Sequence, residues 1–208
     1  MHYYEEHQER ETQLTNDIVS FHQWAIKEVL AIGPADKIFV EFDKKLYGAK
    51  GDVDIVVWRN PGLEGESVIA VEVKVMFLNG EGNFKSKKAL KHNKQIEALE
   101  KEGWDYVYFF DFIVVEPSES WFNEQAFEGF DKYDKTVKSN ICGHVVFQVN
   151  SVKHKPESLA GSILYKIIKS ASLNLGNNGR AKIISALRGN ERCFGEIDFF
   201  GDLLHFLI

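Results

Sequence analysis

One stretch of the chain, residues 68–75 (Val-Ile-Ala-Val-Glu-Val-Lys-Val), most constrains how this protein can fold. Side chains of a β-strand point alternately to opposite faces, so Glu72 and Lys74 share one face with Val68 and Ala70. A strand this apolar is expected to be central in a sheet, where a charge is costly unless it is paired or binds a metal. The stretch therefore indicates either a metal-binding strand or a structural Glu–Lys pair near the sheet end.

A second acidic strand precedes it. Residues 51–58 read Gly-Asp-Val-Asp-Ile-Val-Val-Trp, which places Asp52 and Asp54 on one face of an adjoining strand. A carboxylate from this strand can meet Glu72, and two carboxylates with a nearby backbone carbonyl suit Mg²⁺ or Mn²⁺. Lys74 would then lie beside the metal and stabilise charge on a phosphate or orient the attacking water. Asp52 is the alternative ligand, but an acid beside Gly51 is usually a turn residue.

The hydrophobic pattern predicts the elements around these two strands. Apolar spacing and stop signals predict a first helix that ends at Gly33-Pro34 and a second that ends at Gly103. Two short loops favour antiparallel pairing of the first three strands, and the second helix supplies a crossover to a parallel, fully buried strand. The predicted ranges are helix 16–32, strands 38–42, 53–58 and 68–76, helix 85–102 and strand 106–115.

The C-terminal part is less regular. It carries an aromatic and acidic stretch and an apolar tail that is expected to pack against the body, without a repeat or a convincing linker. We therefore predict a single α/β domain over residues 1–208, with a core at about 16–115 and a C-terminal α/β elaboration at about 118–208. The ranges in this part are the acidic stretch 118–133, strand 144–149, helices 157–172 and 180–187, and the tail 203–208.

At Asp54 and Glu72-Val73-Lys74 the sequence resembles the PD-(D/E)xK nuclease superfamily, the restriction-endonuclease-like fold. The resemblance covers about a third of the chain, and Val53 stands where the family's name has proline. It implies an αβββαβ core with a mixed central sheet flanked by helices. It also implies that Asp54, Glu72 and the Val73 carbonyl bind Mg²⁺ or Mn²⁺ while Lys74 assists the attack of water on a phosphodiester.

Two further residues are identified through this resemblance. Some members carry a glutamine on the helix after these strands, and Gln95 matches it, with an ordinary solvent-facing residue as the alternative. An additional acid commonly comes from the first strand or first helix. Glu41, inside an apolar strand, is the stronger candidate and Glu28 the weaker. The alternative is that Glu41 lies on an edge strand, where it is solvated and has no functional role.

Charge limits the partners. The net charge of −6 argues against a protein that coats nucleic acid through bulk electrostatics, but it leaves room for a local basic surface. A run of lysines without Asp or Glu on the second helix predicts contact with a nucleic-acid backbone, with a solvated helix face as the alternative. These residues are Lys85, Lys87, Lys88, Lys91 and Lys94.

Other features exclude whole classes of protein. Cys142 and Cys193 form neither a Cys-x-x-Cys pair nor a zinc-like cluster, which argues against a disulfide scaffold. No apolar run could cross a bilayer and the acidic N-terminus is not a signal peptide, so we expect a cytoplasmic protein without a membrane partner.

Two functions from different classes follow. The first is a metal-dependent deoxyribonuclease, which we expect to be an endonuclease, and the resemblance implies a homodimer as in many members of the superfamily. The alternative is a catalytically inactive module of the same fold that binds nucleic acid or protein.

Overall fold

The computed structural model describes residues 23–77, 92–115, 137–150, 163–175 and 178–190. Within these ranges the chain forms helices on both sides of one β-sheet. The elements are α1 (Gln23–Leu30), β1 (Lys37–Asp43), a short 3₁₀ turn (Lys44–Tyr47), β2 (Asp52–Arg59), β3 (Ser67–Phe77), α2 (Asn93–Glu102), β4 (Tyr106–Val115), β5 (Gly143–Asn150), β6 (Ile163–Lys169) and α3 (Arg180–Gly189).

The described strands form a six-stranded mixed sheet in the order β1-β2-β3-β4-β5-β6. The pairs β1/β2, β2/β3 and β5/β6 are antiparallel, whereas β3/β4 and β4/β5 are parallel. The predicted α/β class is therefore confirmed. The predicted antiparallel pairing of the first three strands and the parallel pairing of β4 with β3 are confirmed as well. A parallel pair needs a crossover connection, and α2 lies in the segment between β3 and β4.

Each sheet face has its own apolar core. On one face Ala25, Ile26 and Leu30 of α1 pack against a cluster that includes Val73 and Phe110. On the other face α2 and α3 pack over a second cluster, to which they contribute Ile96, Leu99, Ile183, Ile184 and Leu187. Glu72 and Lys74 belong to this second face, because alternation along β3 sets them opposite Val73.

The sheet opens between β2 and β3. Their register runs from Arg59↔Ser67 to Ile55↔Val71 and ends there, although both strands continue. The next residues in this register are Asp54 and Glu72. Beyond the last pair the backbone N–H of Val73 donates to Asp54 Oδ2 at 2.6 Å instead of to a β2 carbonyl. At this opening the main chain of Val73 is therefore bonded to side chains, its N–H to Asp54 and its carbonyl to Lys74.

Some predicted elements differ from the structure. The predicted helix 157–172 is wrong over Ile163–Lys169, which is strand β6. Its sequence, Ile-Leu-Tyr-Lys-Ile-Ile-Lys, is rich in β-branched residues, and pairing with β5 outweighs the helical spacing of its apolar residues. Within the described residues the second helix covers Asn93–Glu102. The first helix ends at Leu30 rather than at residue 32, because Ala31 has a left-handed φ of 50°.

Several predictions fall on residues outside the described ranges. They concern helical residues 16–22 and 85–91, the acidic stretch 118–133, the tail 203–208 and Cys193. The extent of the predicted single domain stays a prediction. Within the described part of the chain, no helix has the length and apolarity needed to cross a bilayer.

Candidate active site

The opening between β2 and β3 brings together the residues that the sequence singled out. Glu72 is 4% exposed and lies in the middle of β3, while Asp54 is partly buried near the start of β2. Asp54 accepts a hydrogen bond from the N–H of Val73. Glu72 is linked to the same residue through Lys74, whose ammonium contacts Glu72 and donates to the Val73 carbonyl. Three residues of β3 and one of β2 therefore form a single polar cluster.

Lys74 is the central cation of this cluster. Its Nζ lies 2.9 Å from Glu72 Oε1 and 2.9 Å from the carbonyl oxygen of Val73. A carboxylate oxygen and a carbonyl oxygen thus converge on one positive charge. Such charge-assisted contacts are stronger than neutral hydrogen bonds, and they satisfy a carboxylate that is almost removed from water.

Gln95 completes the contacts of Glu72. Its Nε2 donates to Glu72 Oε1 at 2.5 Å, which joins the first turn of α2 to β3. The remainder of the Gln95 side chain is exposed. The predicted position of this glutamine beside the acidic strand is what the structure has, since α2 packs on the same sheet face as Glu72.

The other acidic candidates occupy different places. Glu41 is exposed and has a left-handed φ of 51°, a backbone conformation that residues other than glycine rarely adopt. Its neighbours pair as Val40↔Ile55 and Phe42↔Val53, which puts Glu41 across from Asp54. Backbone strain of this kind clusters at functional sites. Asp52 is exposed at the start of β2.

Glu28 lies elsewhere. It is exposed on α1 and accepts a hydrogen bond from Tyr165 of β6, which raises the pKa of that tyrosine. Because α1 covers the sheet face opposite to Glu72, Glu28 is not part of the cluster.

Of the predicted basic surface, the structure describes one residue. Lys94 is exposed on α2, next to Gln95. Lys85, Lys87, Lys88 and Lys91 lie outside the described ranges. Their contact with nucleic acid stays a prediction.

The oxygen atoms at the opening fit a hard divalent ion. In the ranges that the structure describes, no three His, Cys, Asp or Glu side chains are grouped so as to hold a metal. A metal here would therefore rely on Asp54, Glu72, the Val73 carbonyl and water. Mg²⁺ keeps several waters and is usually held by only one or two carboxylates, so this donor set suits it. Asp54 retains acceptor capacity besides its bond to Val73, because an ionised carboxylate has about four lone-pair sites.

Sequence reasoning missed a second polar group on the same sheet face. Asp111 of β4 is 0% exposed and His144 of β5 is 1% exposed, and Asp111 Oδ2 lies 2.6 Å from His144 Nε2. Burial raises the pKa of Asp111, while its hydrogen bond to His144 and the charges of His144 and Lys74 oppose that rise. The signal that could have found it is Asp111 itself, the single charge within the apolar run of residues 106–115.

His92 adjoins this pair from the start of α2. Its ring is buried, and its centroid lies 4.3 Å from that of Phe109. The Phe109 centroid lies 5.5 Å from that of His144. Burial, and then the positive charges of Lys74 and His144, lower the pKa of His92 to about 4. His92 is therefore neutral at physiological pH and adds no cation beside Lys74.

Arg180 has a structural role. Its Nε lies 3.0 and 2.9 Å from the two carboxylate oxygens of Asp105, and its Nη2 donates to the carbonyl of Glu66 at 2.6 Å. These bonds join α3 to the residues that directly precede β3 and β4.

Comparisons with known proteins show little. No family model matches the chain, and no curated protein matches it. Among solved structures, the chain is similar to SfsA of Pyrococcus furiosus in complex with Ca²⁺, with 17% identity and a TM-score of 0.37. The match covers 77% of this chain and 65% of that one.

Proposed function

We propose that this protein is a metal-dependent nuclease that hydrolyses phosphodiester bonds, with DNA as its substrate. The observation that carries the proposal is the convergence of Glu72 Oε1 and the Val73 carbonyl on the Lys74 ammonium, at 2.9 Å each. Two oxygens that hold one cation, next to Asp54 on a strand that parts from its neighbour, form a site suited to a divalent ion. The order α1, β1, β2, β3, α2, β4 supports the restriction-endonuclease-like core.

Each residue has a distinct role in this proposal. Asp54, Glu72 and the Val73 carbonyl would hold Mg²⁺ or Mn²⁺, which supplies a polarised water and neutralises charge on the phosphate. Gln95 holds the Glu72 carboxylate in place through its 2.5 Å hydrogen bond. Lys74 brings a positive charge to the side of the reacting phosphate and stabilises the charge that develops there.

The experiment is cleavage of supercoiled plasmid, linear duplex, single-stranded DNA and RNA with Mg²⁺, Mn²⁺ or EDTA. We expect DNA to be cleaved only when the metal is present, and we expect this cleavage to be lost in Lys74→Ala. Lys101→Ala removes an exposed lysine at the other end of α2 and serves as the matched control. Cleavage that survives in Lys74→Ala would contradict the assigned role, and cleavage of RNA alone would contradict the substrate.

A second candidate is a binding module that keeps the fold without catalysis. It is favoured by the lack of any three-residue metal cluster in the described part of the chain. Thermal denaturation with Mn²⁺ separates the two candidates, because a ligand that binds only the folded state raises the melting temperature. A Mn²⁺-dependent rise that is lost in Glu72→Gln supports the nuclease. No rise, together with no cleavage, supports the module.

A further inference from the structure

The contacts of Lys74 create a conflict at the candidate metal centre. Its ammonium binds Glu72 Oε1 and the Val73 carbonyl, which are two of the three proposed metal ligands. Magnesium–oxygen distances are about 2.1 Å, so an ion held by these oxygens would lie close to the present position of the ammonium. Two cations repel strongly at such a separation. Lys74 must therefore have a second acceptor, and the conclusion rests on the proposed function.

Asp111 is placed to be that acceptor. In the parallel register of β3 and β4, Lys74 lies directly opposite Asp111, and register partners in a sheet point to the same face. Asp111 Oδ2 is held by His144, while Oδ1 is buried and has no hydrogen-bond partner among the described residues. A buried carboxylate oxygen without a donor is unusual in folded proteins and calls for an explanation.

The charges around Lys74 favour this acceptor. On β3 the acidic neighbour of Lys74 is Glu72, whose carboxylate would be bound to the metal. On β4 the acidic neighbour of Lys74 is Asp111. From β5 His144 Nε2 lies 2.6 Å from Asp111 Oδ2, and from α2 His92 is neutral because burial lowers its pKa to about 4. The favourable interaction between Lys74 and Asp111 already lowers the pKa of the carboxyl against the effect of burial.

We propose that Lys74 has two positions, one on Glu72 and Val73 in the metal-free protein and one on Asp111 Oδ1 when a divalent ion is bound. Asp111 and His144 are then positioning residues. They receive the ammonium and hold it beside the phosphate, without contact with the reacting atoms. The switch predicts that Asp111 affects metal affinity through Lys74 and not only through its own charge.

A double-mutant cycle, measured by calorimetric titration with Mn²⁺ alone, tests this switch. The proteins are the unmodified chain, Asp111→Asn, Lys74→Met and the double variant, all checked for folding by circular dichroism. Asp111→Asn keeps the size of the side chain and a partner for His144, and we expect it to weaken Mn²⁺ binding about tenfold. In the Lys74→Met background the same substitution is expected to have little effect, because no ammonium needs to be moved. Asp36→Asn, a buried carboxylate that binds Gly33 and Asn60 at the far end of β1, is the control.

The outcomes are distinct. Equal weakening by Asp111→Asn in both backgrounds, or no weakening in either, overturns the switch while the metal centre stands. No Mn²⁺ binding by the unmodified chain overturns the metal centre of the proposed function, and the switch falls with it.

A second measurement needs no substitution of Asp111. The ring signals of His144 in the nuclear magnetic resonance spectrum, assigned with His144→Gln, are followed during a titration with diamagnetic Mg²⁺. They are expected to shift in the unmodified chain, because arrival of the ammonium at Asp111 brings a positive charge and a hydrogen bond to the partner of His144. The shift is expected to disappear in Lys74→Met. A shift of equal size in both proteins, or none in either, would overturn the switch.

Discussion

The side-chain amide of Gln95 donates to Glu72 Oε1 at 2.5 Å, so the first turn of α2 is joined to the middle of β3. The two residues are 23 positions apart in the chain. Glu72 also binds Lys74, which means that one carboxylate oxygen accepts from two donors on different elements. Displacing either donor leaves a nearly buried charge with less compensation.

Replacement of Gln95 with Ala is expected to lower the free energy of unfolding by about 1 kcal/mol, the typical net value of one hydrogen bond. Under the proposed function it also lowers the cleavage rate, because Glu72 is held less firmly. Urea denaturation and plasmid cleavage measure the two effects. Glu97→Ala, an exposed residue two positions along the same helix, is the control, and equal effects of both variants would contradict a specific role for Gln95.

His92 is expected to make the protein less stable in mild acid. Its pKa in the folded state is about 4, below the value near 6.5 of an unfolded chain. At pH values between these two, unfolding is therefore accompanied by uptake of a proton. The contribution of neutral His92 is therefore complete above pH 6.5 and is lost by pH 4, by up to about 3 kcal/mol.

The variant His92→Phe keeps a ring against Phe109 and removes the titrating group. Urea denaturation at pH 7 and pH 4.5 is expected to show a smaller loss of stability in the variant. Asp111 contributes with the opposite sign, because its raised pKa favours the folded protein as the pH falls, and it is present in both proteins. An unchanged pH dependence in His92→Phe would show that another group is responsible.

Gly179 marks a close contact between α2 and α3. A Cβ atom at this position would lie 1.8 Å from the carbonyl oxygen of Glu102, which is backbone and unable to move aside alone. Gly179→Ala is therefore expected to destabilise the fold by about 1–3 kcal/mol through overpacking. At Gly189, the last residue of α3, a Cβ meets nothing within 4 Å, so Gly189→Ala is expected to be neutral or slightly stabilising. Thermal denaturation of the two variants compares them, and equal melting temperatures would refute the steric explanation.

Arg180 is expected to act on stability. Arg180→Gln removes the contacts to both carboxylate oxygens of Asp105 and the bond to the Glu66 carbonyl, and leaves a mostly buried carboxylate less compensated. Because the arginine is about one-third exposed, solvent screening reduces the loss to about 1–3 kcal/mol.

Arg188→Gln is the matched control for this prediction. The Arg188 side chain is 62% exposed and approaches Glu66 only to 3.9 Å, so its loss should be within about 0.5 kcal/mol. Urea denaturation measures both variants. A loss at Arg188 as large as that at Arg180 would contradict the assignment of Arg180 as the structural link.

Apolar runs bounded by turn residues were sufficient to predict much of the sheet. The predicted strand 106–115 coincides with β4, and β1 to β3 differ from their predicted ranges by one residue at each end. The failure at Ile163–Lys169 has a clear cause, because a short run rich in Ile satisfies helical spacing and strand propensity alike, and only the partner strand β5 decides between them.

The sequence by itself singled out the charged residues of β2 and β3, because a charge in an apolar strand is visible as an exception to its surroundings. It also determined that Glu72 and Lys74 share a face, since alternation is a local property. Only the tertiary structure decided that β2 parts from β3 at Asp54, that Gln95 reaches Glu72, and that Asp111 lies opposite Lys74. Those three facts depend on the register between strands and on the packing of α2, which arise from contacts between residues far apart in the chain.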